Sequence, residues 1–359
     1  TSLFAAYPTF NSTKPNGGQR GTEVKLTLTG TQLADFESLI FFSPGFTQKS
    51  VEKAENGKVE MTVAIAPDVP PGNHLMRIRT KTGISHPRQF FVGIFPNVEE
   101  KEPNSDFETP QLIQANQTVE GVVLSEDVDY YRVSAKKGQR ISVEVDGLRL
   151  GYTVFDPFLA IIDKNRFEKV ISDDTILHRQ DGYCSYVAEE DGDYTVMIRE
   201  SSYRGGGNSF YRLHVGSFRR PDVVYPAGGK VGTTMKVRFI ERDGSFEEEA
   251  KLPAEADPNY MIYSKTQEPA PSGNPFRLVN FDNVLEAEPN EDQAKATVAA
   301  TGSPIALNGI IEKPGDVDYF KLPLKKGMTL EVQAFAQSLG SPLDSVVNIY
   351  NEKGGSLSG

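Results

Sequence analysis

The sequence contains no tryptophan, a single cysteine and no apolar run near the ~20 residues that a membrane span requires. One cysteine excludes an internal disulfide and a cysteine-based zinc site. The lack of tryptophan disfavours carbohydrate binding, because sugar-binding sandwiches stack their ligands on exposed aromatic rings. A single thiol fits a secreted bacterial protein that avoids free thiols, and it equally fits a cytoplasmic protein.

The sequence also has fewer basic than acidic residues, 38 against 49, which gives a net charge of −11. This potential repels phosphate backbones, so we expect no nucleic-acid binding over a broad face. The first ten residues, TSLFAAYPTF, have neither a basic segment nor an initial methionine, and we expect no signal peptide within the sequence.

Catalytic motifs are missing as well. The sequence has no HExxH, no GxSxG and no Walker A pattern. His74 and His214 lie in predicted strands, while His86 and His178 lie in loop-like or polar stretches. No partner histidine is indicated for Cys184, so a buried, inert thiol is the better interpretation. We therefore expect no enzyme activity from these residues.

Two internal repeats organise the chain. In one repeat, four blocks recur in the same order at offsets of 186 to 189 residues. The matched blocks are Glu102–Asn104 with Glu288–Asn290, Asp127–Tyr131 with Asp316–Phe320, Lys136–Gly138 with Lys325–Gly327, and Asp156 with Asp344. In the other repeat, Pro15–Thr22 matches Pro226–Thr233. The order of modules is therefore A–B–A′–B′.

Short strands separated by turns are predicted throughout. Residues 24, 26 and 28 are apolar and alternate with polar residues, and residues 58–66 (KVEMTVAIA) alternate likewise. The turn Pro70–Asn73 precedes a further strand, and no helical period extends over three turns before residue 95. This pattern predicts an immunoglobulin-like sandwich.

Two family resemblances follow from these motifs. The Gly-Gly start, the run VKLTLTGTQL and the strand PPGNHLMRIRT resemble an IPT/TIG-type immunoglobulin-like domain. Module B, with its EPN linker, DVDYY and KKG blocks, its FDPFLAII run and its late DGDYTVMI strand, resembles the bacterial pre-peptidase C-terminal domain. That resemblance implies a jelly-roll-like β-sandwich in an exported protein.

We accordingly expect an all-β fold of tandem β-sandwiches in four modules. These are residues 1–96 (IPT/TIG-like), 97–218 (pre-peptidase C-terminal-like), 219–284 (a degenerate immunoglobulin-like unit) and 285–359 (a second pre-peptidase C-terminal-like sandwich). The last module has no counterpart of the final two strands of module B, so we expect it to be truncated.

The chemistry-bearing residues are acidic and occur twice. Alternate side chains of an extended chain project to one side, which brings three oxygen-bearing groups together in each linker. Ca²⁺ takes about six to eight oxygen ligands. The collagen-binding domains of clostridial collagenases place a similar E-x-E-x-N linker and later aspartates around calcium. The candidates this resemblance implies are Glu100, Glu102, Asn104, Asp127 and Asp129, with Glu286, Glu288, Asn290, Asp316 and Asp318 in the copy. The alternative is a solvated acidic linker beside a turn-capping aspartate.

These observations predict a non-catalytic structural or interaction segment of a bacterial secreted or cell-surface protein. Its expected partners are an extracellular polymer or another surface protein, and its expected cofactor is Ca²⁺. The alternative is an accessory substrate-binding region of a secreted peptidase or other hydrolase whose catalytic domain lies outside these residues.

Overall fold

The computed structural model describes residues 7–242, 244–300 and 302–358. Within these residues the chain is built of β-strands, and its helices are two short 3₁₀ turns, Leu148–Leu150 and Gln337–Leu339. No helix in the described ranges has the length and apolarity needed to cross a bilayer. The chain divides into two compact units, one ending at Arg219 and the other beginning at Arg220. The predicted all-β, multi-domain fold is confirmed.

The first unit opens with a two-sheet sandwich. Its strands are β1 (Thr9–Lys14), β2 (Gly17–Gln19), β3 (Glu23–Thr31), β4 (Phe36–Phe41), β5 (Phe46–Ala54), β6 (Lys58–Ile65), β7 (Gly72–Thr80), β8 (Gly83–Ile84) and β9 (Arg88–Gly93). One sheet has the order β1-β3-β6-β5, and the other has the order β2-β9-β7-β4 with β8 beside β7. Strands β2 and β9 run parallel, whereas the other paired strands are antiparallel.

Alternation of apolar and polar residues explains how this sandwich closes. Along β6, Val59, Met61, Val63 and Ile65 point inward and are at most 2% exposed, while their neighbours are only partly buried. The period of two puts every apolar side chain of the strand on one face. Burying that face against the opposite sheet removes its apolar area from water.

A second sandwich follows within the same unit. Its strands are β10 (Asn97–Glu99), β11 (Gln111–Leu112), β12 (Gln117–Val122), β13 (Val128–Ala135), β14 (Arg140–Asp146), β15 (Pro157–Ile162), β16 (Glu168–Ser172), β17 (Tyr183–Val187), β18 (Gly192–Glu200) and β19 (Phe210–Gly216). Two five-stranded sheets have the orders β10-β12-β19-β14-β17 and β11-β13-β18-β15-β16. The short edge strands β10 and β11 run parallel to β12 and β13, respectively.

The core of the second sandwich contains two tyrosines besides aliphatic residues. Tyr131 on β13 and Tyr211 on β19 are fully buried, in the same cluster as Val143 and Leu159. A buried tyrosine hydroxyl requires a hydrogen-bond partner. The partners of these two hydroxyls are acidic, and they lie beside the linker that leads into the sandwich.

The second unit has shorter strands. They are β20 (Val223–Tyr225), β21 (Gly228–Lys230), β22 (Thr234–Glu241), β23 (Gly244–Lys251), β24 (Met261–Ile262), β25 (Asn274–Pro275), β26 (Arg277–Val279), β27 (Asn283–Leu285), β28 (Thr297–Val298), β29 (Ala306–Asn308), β30 (Phe320–Lys321), β31 (Ile349–Tyr350) and β32 (Ser356–Ser358). A three-stranded sheet, β20-β22-β23, is accompanied by five two-stranded pairs: β21-β26, β24-β25, β27-β29, β28-β30 and β31-β32.

The end of this unit begins in the same way as the second sandwich but is less buried. Strand β27 runs parallel to β29, and β28 runs parallel to β30, as β10 does with β12 and β11 with β13. By the sequence repeat, Val332 aligns with Val143 and Val347 aligns with Leu159. Val332 is 47% exposed and Val347 is 44% exposed, whereas Val143 and Leu159 are both 0% exposed.

Candidate metal centres

The linker after β10 folds back against the start of β13. The backbone N–H of Tyr130 donates to the carbonyl of Asn104 at 3.0 Å, which holds the linker beside the strand. The N–H of Asn104 in turn donates to Oε2 of Glu102 at 3.0 Å. As a result, carboxylate oxygens of Glu102, Asp127 and Asp129 lie within 4.8 Å of one another. We call these three residues the first cluster.

The side-chain amide of Asn104 completes the first cluster. It is fully buried, and one of its two terminal atoms lies 2.8 Å from Oε2 of Glu102 and 3.2 Å from Oδ1 of Asp129. The other terminal atom lies 3.2 Å from the hydroxyl of Tyr131. With its nitrogen inward, the amide donates to both carboxylates. With its oxygen inward, it faces carboxylate oxygens and needs a proton on one of them or a cation between them.

Asp127 is held by ordinary hydrogen bonds at the rim of this cluster. Its Oδ1 accepts from the hydroxyl of Ser105 at 2.8 Å and from the N–H of Val128 at 2.9 Å. Its Oδ2 accepts from the N–H of Leu124 at 3.3 Å. These donors fix the carboxylate at the point where the chain enters β13, and they leave lone pairs free to face the cluster.

Glu100 does not join the first cluster. Its Oε1 accepts from the hydroxyls of Tyr131 at 2.9 Å and Tyr211 at 2.6 Å, and its Oε2 accepts from the N–H of Val122 at 3.0 Å. The Tyr211 hydroxyl also lies 2.8 Å from Oδ2 of Asp129, and the two tyrosine oxygens are in close contact with each other. Glu100 therefore borders the cluster from the core side, through tyrosines.

Burial and neighbouring negative charges disfavour the ionised form of Asp129. Burial, followed by the negative charges of Glu100 and Asp127, raises the pKa of Asp129 well above its ordinary value. The pKa of Tyr131 and that of Tyr211 are raised as well, chiefly by burial. The Tyr211 hydroxyl has one proton but lies beside two carboxyl groups, those of Glu100 and Asp129. If the hydroxyl donates to Glu100, a protonated Asp129 can donate to the tyrosine oxygen. A bound divalent cation would favour the ionised form of Asp129 instead.

A second cluster lies in the second unit at the aligned positions. Carboxylate oxygens of Glu286, Glu288 and Asp318 lie within 4.8 Å of one another. The N–H of Asn290 donates to Oε2 of Glu288 at 2.9 Å, and the N–H of Tyr319 donates to the carbonyl of Asn290 at 3.0 Å. The linker is thus held in the same way as in the first unit.

Three oxygens in and beside the second cluster have no hydrogen-bond donor among the described residues. Oε2 of Glu286, Oδ1 of Asn290 and Oδ1 of Asp318 are buried without a hydrogen-bond partner, and Asn290 is fully buried. Burial, together with the charges of Asp318 and Glu288, raises the pKa of Glu286 to about 7. Buried polar groups in native proteins are normally paired, so three orphaned oxygens beside one another need an explanation.

The two clusters differ in one predicted ligand each. Glu286 is part of the second cluster, whereas the aligned Glu100 is not part of the first. Asp127 is part of the first cluster, whereas the aligned Asp316 is half-buried outside the second cluster and accepts from the N–H of Glu312 at 2.7 Å. Both clusters are made from the residues that the alternating acidic pattern singled out.

The sequence analysis did not identify the tyrosine hydroxyls as part of the site. In a strand, neighbouring side chains point to opposite faces, so the sequence of the pair at positions 130 and 131 indicates only that one ring faces the core. Phe320 aligns with Tyr131, so the second cluster lacks this hydroxyl. The signal available from sequence was the change from tyrosine to phenylalanine between two otherwise matched blocks. Cys184 lies outside the site; it is buried, and burial raises its pKa to about 12.

Similar proteins of known structure include three bacterial ones. The pre-peptidase C-terminal domain of a Bacillus anthracis collagenase is 14% identical, with a TM-score of 0.25, covering 32% of this chain and 99% of that chain. SGBP-B from a Bacteroides ovatus mixed-linkage glucan utilization locus, in complex with a mixed-linkage heptasaccharide, is 12% identical, with a TM-score of 0.23. The match covers 58% of this chain and 52% of that chain. The Yersinia pseudotuberculosis adhesin InvE is 12% identical, with a TM-score of 0.20, and the match covers 70% of this chain and 62% of that chain.

The family comparison concerns the middle of the chain. No curated protein matches the sequence at a significant level. Residues 127–200, which run from Asp127 of the first cluster to the end of β18, match the model of the bacterial pre-peptidase C-terminal domain. No catalytic family is matched. A bacterial pre-peptidase C-terminal domain is therefore found at residues 127–200.

Proposed function

We propose that this chain is a non-catalytic structural and interaction segment of a bacterial secreted or cell-surface protein. Its linkers bind Ca²⁺ where they enter the two pre-peptidase C-terminal-like modules. The observation that carries the proposal is the repeated cluster, in which an acidic linker folds against a strand and aligned residues bring carboxylates together twice. The matched domain at residues 127–200 supports the non-catalytic assignment.

The donor set of each cluster suits calcium. All the converging atoms are carboxylate or amide oxygens, which hard cations such as Ca²⁺ prefer. Two carboxylates about 4 Å apart repel each other by about 1 kcal/mol in water and about 4 kcal/mol at an effective dielectric near 20. A divalent cation between them replaces that repulsion with attraction. Water would supply the rest of the six to eight ligands.

The second cluster supports this proposal most directly. Its three buried oxygens, on Glu286, Asn290 and Asp318, have no donor within the described structure. In a metal-free molecule each of them loses the hydrogen bonds it made in water, at a cost of about 1–3 kcal/mol. One cation bound between these oxygens would supply a partner for all of them.

A solvated acidic linker is the alternative to a calcium site. In that case Asn104 keeps its nitrogen inward and donates to Glu102 and Asp129, and Asp129 retains its proton. This arrangement satisfies the first cluster without metal. In the second cluster, a proton on Glu286, whose pKa is raised to about 7, would be shared with Asp318, but the buried Oδ1 of Asn290 would still have no donor.

The first experiment is a calorimetric titration of chelator-stripped protein with CaCl₂. We expect two binding events. Glu102→Gln removes a charge from the first cluster, and Glu288→Gln removes the aligned charge from the second, so each variant should lose one event and keep the other. Glu108→Gln changes an exposed glutamate paired with Arg166 and serves as the matched control.

Magnesium should bind more weakly in the same titration, because it retains its waters and prefers a tight octahedral shell. An absence of calcium binding at millimolar concentration would contradict the proposed sites and leave the solvated-linker alternative. Binding that both Glu→Gln variants retain in full would place the sites elsewhere.

The interaction role requires a polymer or protein partner outside the cell. A pull-down with insoluble collagen, chitin and cellulose separates a ligand-binding module from a spacer, because a spacer stays in the supernatant with all three. The purified chain should also show no peptidase, esterase or glycosidase turnover. An activity lost on replacing one histidine or Cys184 would overturn the non-catalytic assignment.

An accessory role in a secreted peptidase or other hydrolase is the second candidate. It is favoured by the description of the matched domain, which names it for a place in peptidases. The full-length gene separates the two candidates. A catalytic domain encoded in the same reading frame would make this segment an accessory region, and its absence would favour an independent structural role.

A further inference from the structure

The outer face of one sheet in the second sandwich is polar but buried. Strands β12, β14 and β19 point their apolar residues into the core and their polar residues to the other side. On an antiparallel sheet that side normally faces water. Here, however, seven of its polar side chains are at most 4% exposed: Thr118, Glu120, Ser142, Glu144, Asp146, Arg212 and His214.

Glu120 connects this face to the first sandwich. Its Oε2 accepts from the backbone N–H of Asn16 at 2.9 Å, just before β2. Its Oε1 accepts from Nε of Arg212 at 2.7 Å and from Nδ2 of Asn97 at 3.0 Å. Nδ2 of Asn97 also donates to the carbonyl of Gly17 at 2.8 Å. One carboxylate thus joins both sandwiches and the segment between them.

The Arg212 guanidinium lies directly against the backbone of β2. A Cβ added to Gly17 would lie 2.5 Å from Cζ of Arg212 and 2.1 Å from the carbonyl oxygen of Phe91. Glycine is therefore required there, because any side chain would push the guanidinium away. Arg212 is 1% exposed, and its other acidic neighbour is Asp146 at 3.8 Å.

Aromatic side chains lie in the same junction. The rings of Phe95 and Phe218 lie 5.9 Å apart, and Phe218 is fully buried. The hydroxyl of Tyr152 accepts from the N–H of Thr13 at 3.2 Å, and the guanidinium of Arg88 lies 5.1 Å from the Tyr152 ring. Glu120 and Arg212 are themselves only 4% and 1% exposed, and exclusion of water strengthens the attraction between their charges.

We propose that Glu120 and Arg212 form a buried ionic lock. The lock holds the sandwich that ends at Gly93 and the sandwich that begins at Asn97 at one fixed angle. Separating the two partners of a buried ion pair is costly, because each is then left as an uncompensated charge in a site without water. The short connection between the sandwiches, residues 94–96, then acts as a rigid joint rather than as a hinge.

The second unit has a neutral counterpart of this joint. By the two sequence repeats, Ala227 aligns with Asn16, Asn283 with Asn97, and Asn308 with Glu120. Nδ2 of Asn308 donates to Oδ1 of Asn283 at 3.1 Å, which keeps the amide contact without a charge. Replacing Glu120 by asparagine would therefore copy into the first joint the residue that the chain uses in the second.

The test measures the distance distribution between two spin labels. Lys53→Cys and Lys164→Cys place nitroxides on exposed sites of the first and second sandwich, while Cys184 is buried and does not react. With the lock intact, double electron–electron resonance should give one narrow distribution. Glu120→Asn should broaden it at least twofold. Asp191→Asn, which breaks the exposed pair with Lys136, is the control and should leave the width unchanged.

Circular dichroism and amide exchange at β13 and β18 show whether each variant keeps its fold. If Glu120→Asn fails to fold, Glu120→Gln takes its place in the test, since it keeps the length of the side chain and removes the charge that faces Arg212. A broad distribution in the unmodified joint would overturn the proposal. A width unchanged in a folded Glu120→Asn, or in Glu120→Gln where that variant takes its place, would overturn it as well.

Discussion

The Tyr211 hydroxyl offers a sharp test of how the first cluster is stabilised. Tyr211 is fully buried on β19, and its hydroxyl lies 2.6 Å from Oε1 of Glu100 and 2.8 Å from Oδ2 of Asp129. Replacing it with phenylalanine keeps the ring and removes the hydroxyl. The substitution therefore changes hydrogen bonding and leaves core packing almost as it was.

The size of the effect follows from the charge of the acceptor. A hydrogen bond to a charged group contributes about 1.5–3 kcal/mol. The hydroxyl has one proton and donates one such hydrogen bond, which Tyr211→Phe removes. We therefore expect the free energy of unfolding of the metal-free protein to fall by about 2 kcal/mol. For a unit of about 200 residues this corresponds to about 4–8 °C in Tm.

Urea unfolding in the presence of a chelator measures this loss. Circular dichroism is the suitable probe, because the sequence has no tryptophan. Tyr203→Phe is the control; the Tyr203 side chain is 46% exposed, and its ring contact with Arg199 survives the change. The m-value should stay constant. A loss below about 0.5 kcal/mol for Tyr211→Phe would refute the view that this hydroxyl satisfies the acidic residues.

Two further predictions concern the core and the titration of the site. Leu159→Ala empties a fully buried position and should cost about 2–5 kcal/mol in urea unfolding, whereas Val347→Ala at the aligned position, 44% exposed, should cost less than about 1 kcal/mol; equal losses would show that the second module is packed like the first. The pKa of Asp129 is raised in the folded state above its ordinary 3.8, so its neutral form stabilises the metal-free fold at low pH, and that contribution is lost as pH rises from about 4 toward the raised pKa. The free energy of unfolding, obtained from thermal melts with chelator, should therefore fall as pH rises. The fall should be steeper for the native protein than for Asp129→Asn, by up to about 1.4 kcal/mol per pH unit, and parallel pH profiles of the two proteins would contradict the raised pKa.

The strands were largely predictable, because period-two alternation is a local property of the sequence. The pattern KVEMTVAIA at residues 58–66 predicts a half-buried strand, and β6 spans Lys58–Ile65. The strand expected after the turn Pro70–Asn73 is also present, but it begins at Gly72, two residues inside the predicted turn. Turn residues and alternation need no knowledge of the partner strand.

The composition of the clusters was only partly predictable. Spacing of two residues places Glu100 and Glu102 on one side of an extended chain, but it does not show which core groups each will meet. Glu100 reaches two tyrosine hydroxyls that come from β13 and β19, and the latter is more than a hundred residues away. Contacts of that kind depend on tertiary packing, which alternation does not encode.

The buried polar face was not predictable for the same reason. Glu120 and Arg212 alternate with core residues on β12 and β19, and alternation alone assigns them to solvent. Their burial depends on another sandwich covering the face. Nothing in the local sequence of either strand indicates that cover.

The central claim is that a calcium ion binds in each of the two linker clusters. Its most direct test is anomalous diffraction from crystals grown with calcium and then with terbium, a trivalent ion that occupies calcium sites and scatters strongly. The account predicts one peak among Glu102, Asn104, Asp127 and Asp129 and a second among Glu286, Glu288, Asn290 and Asp318. Crystals that contain the cation yet show no peak at either cluster, with the Asn104 nitrogen donating to Glu102, would contradict it.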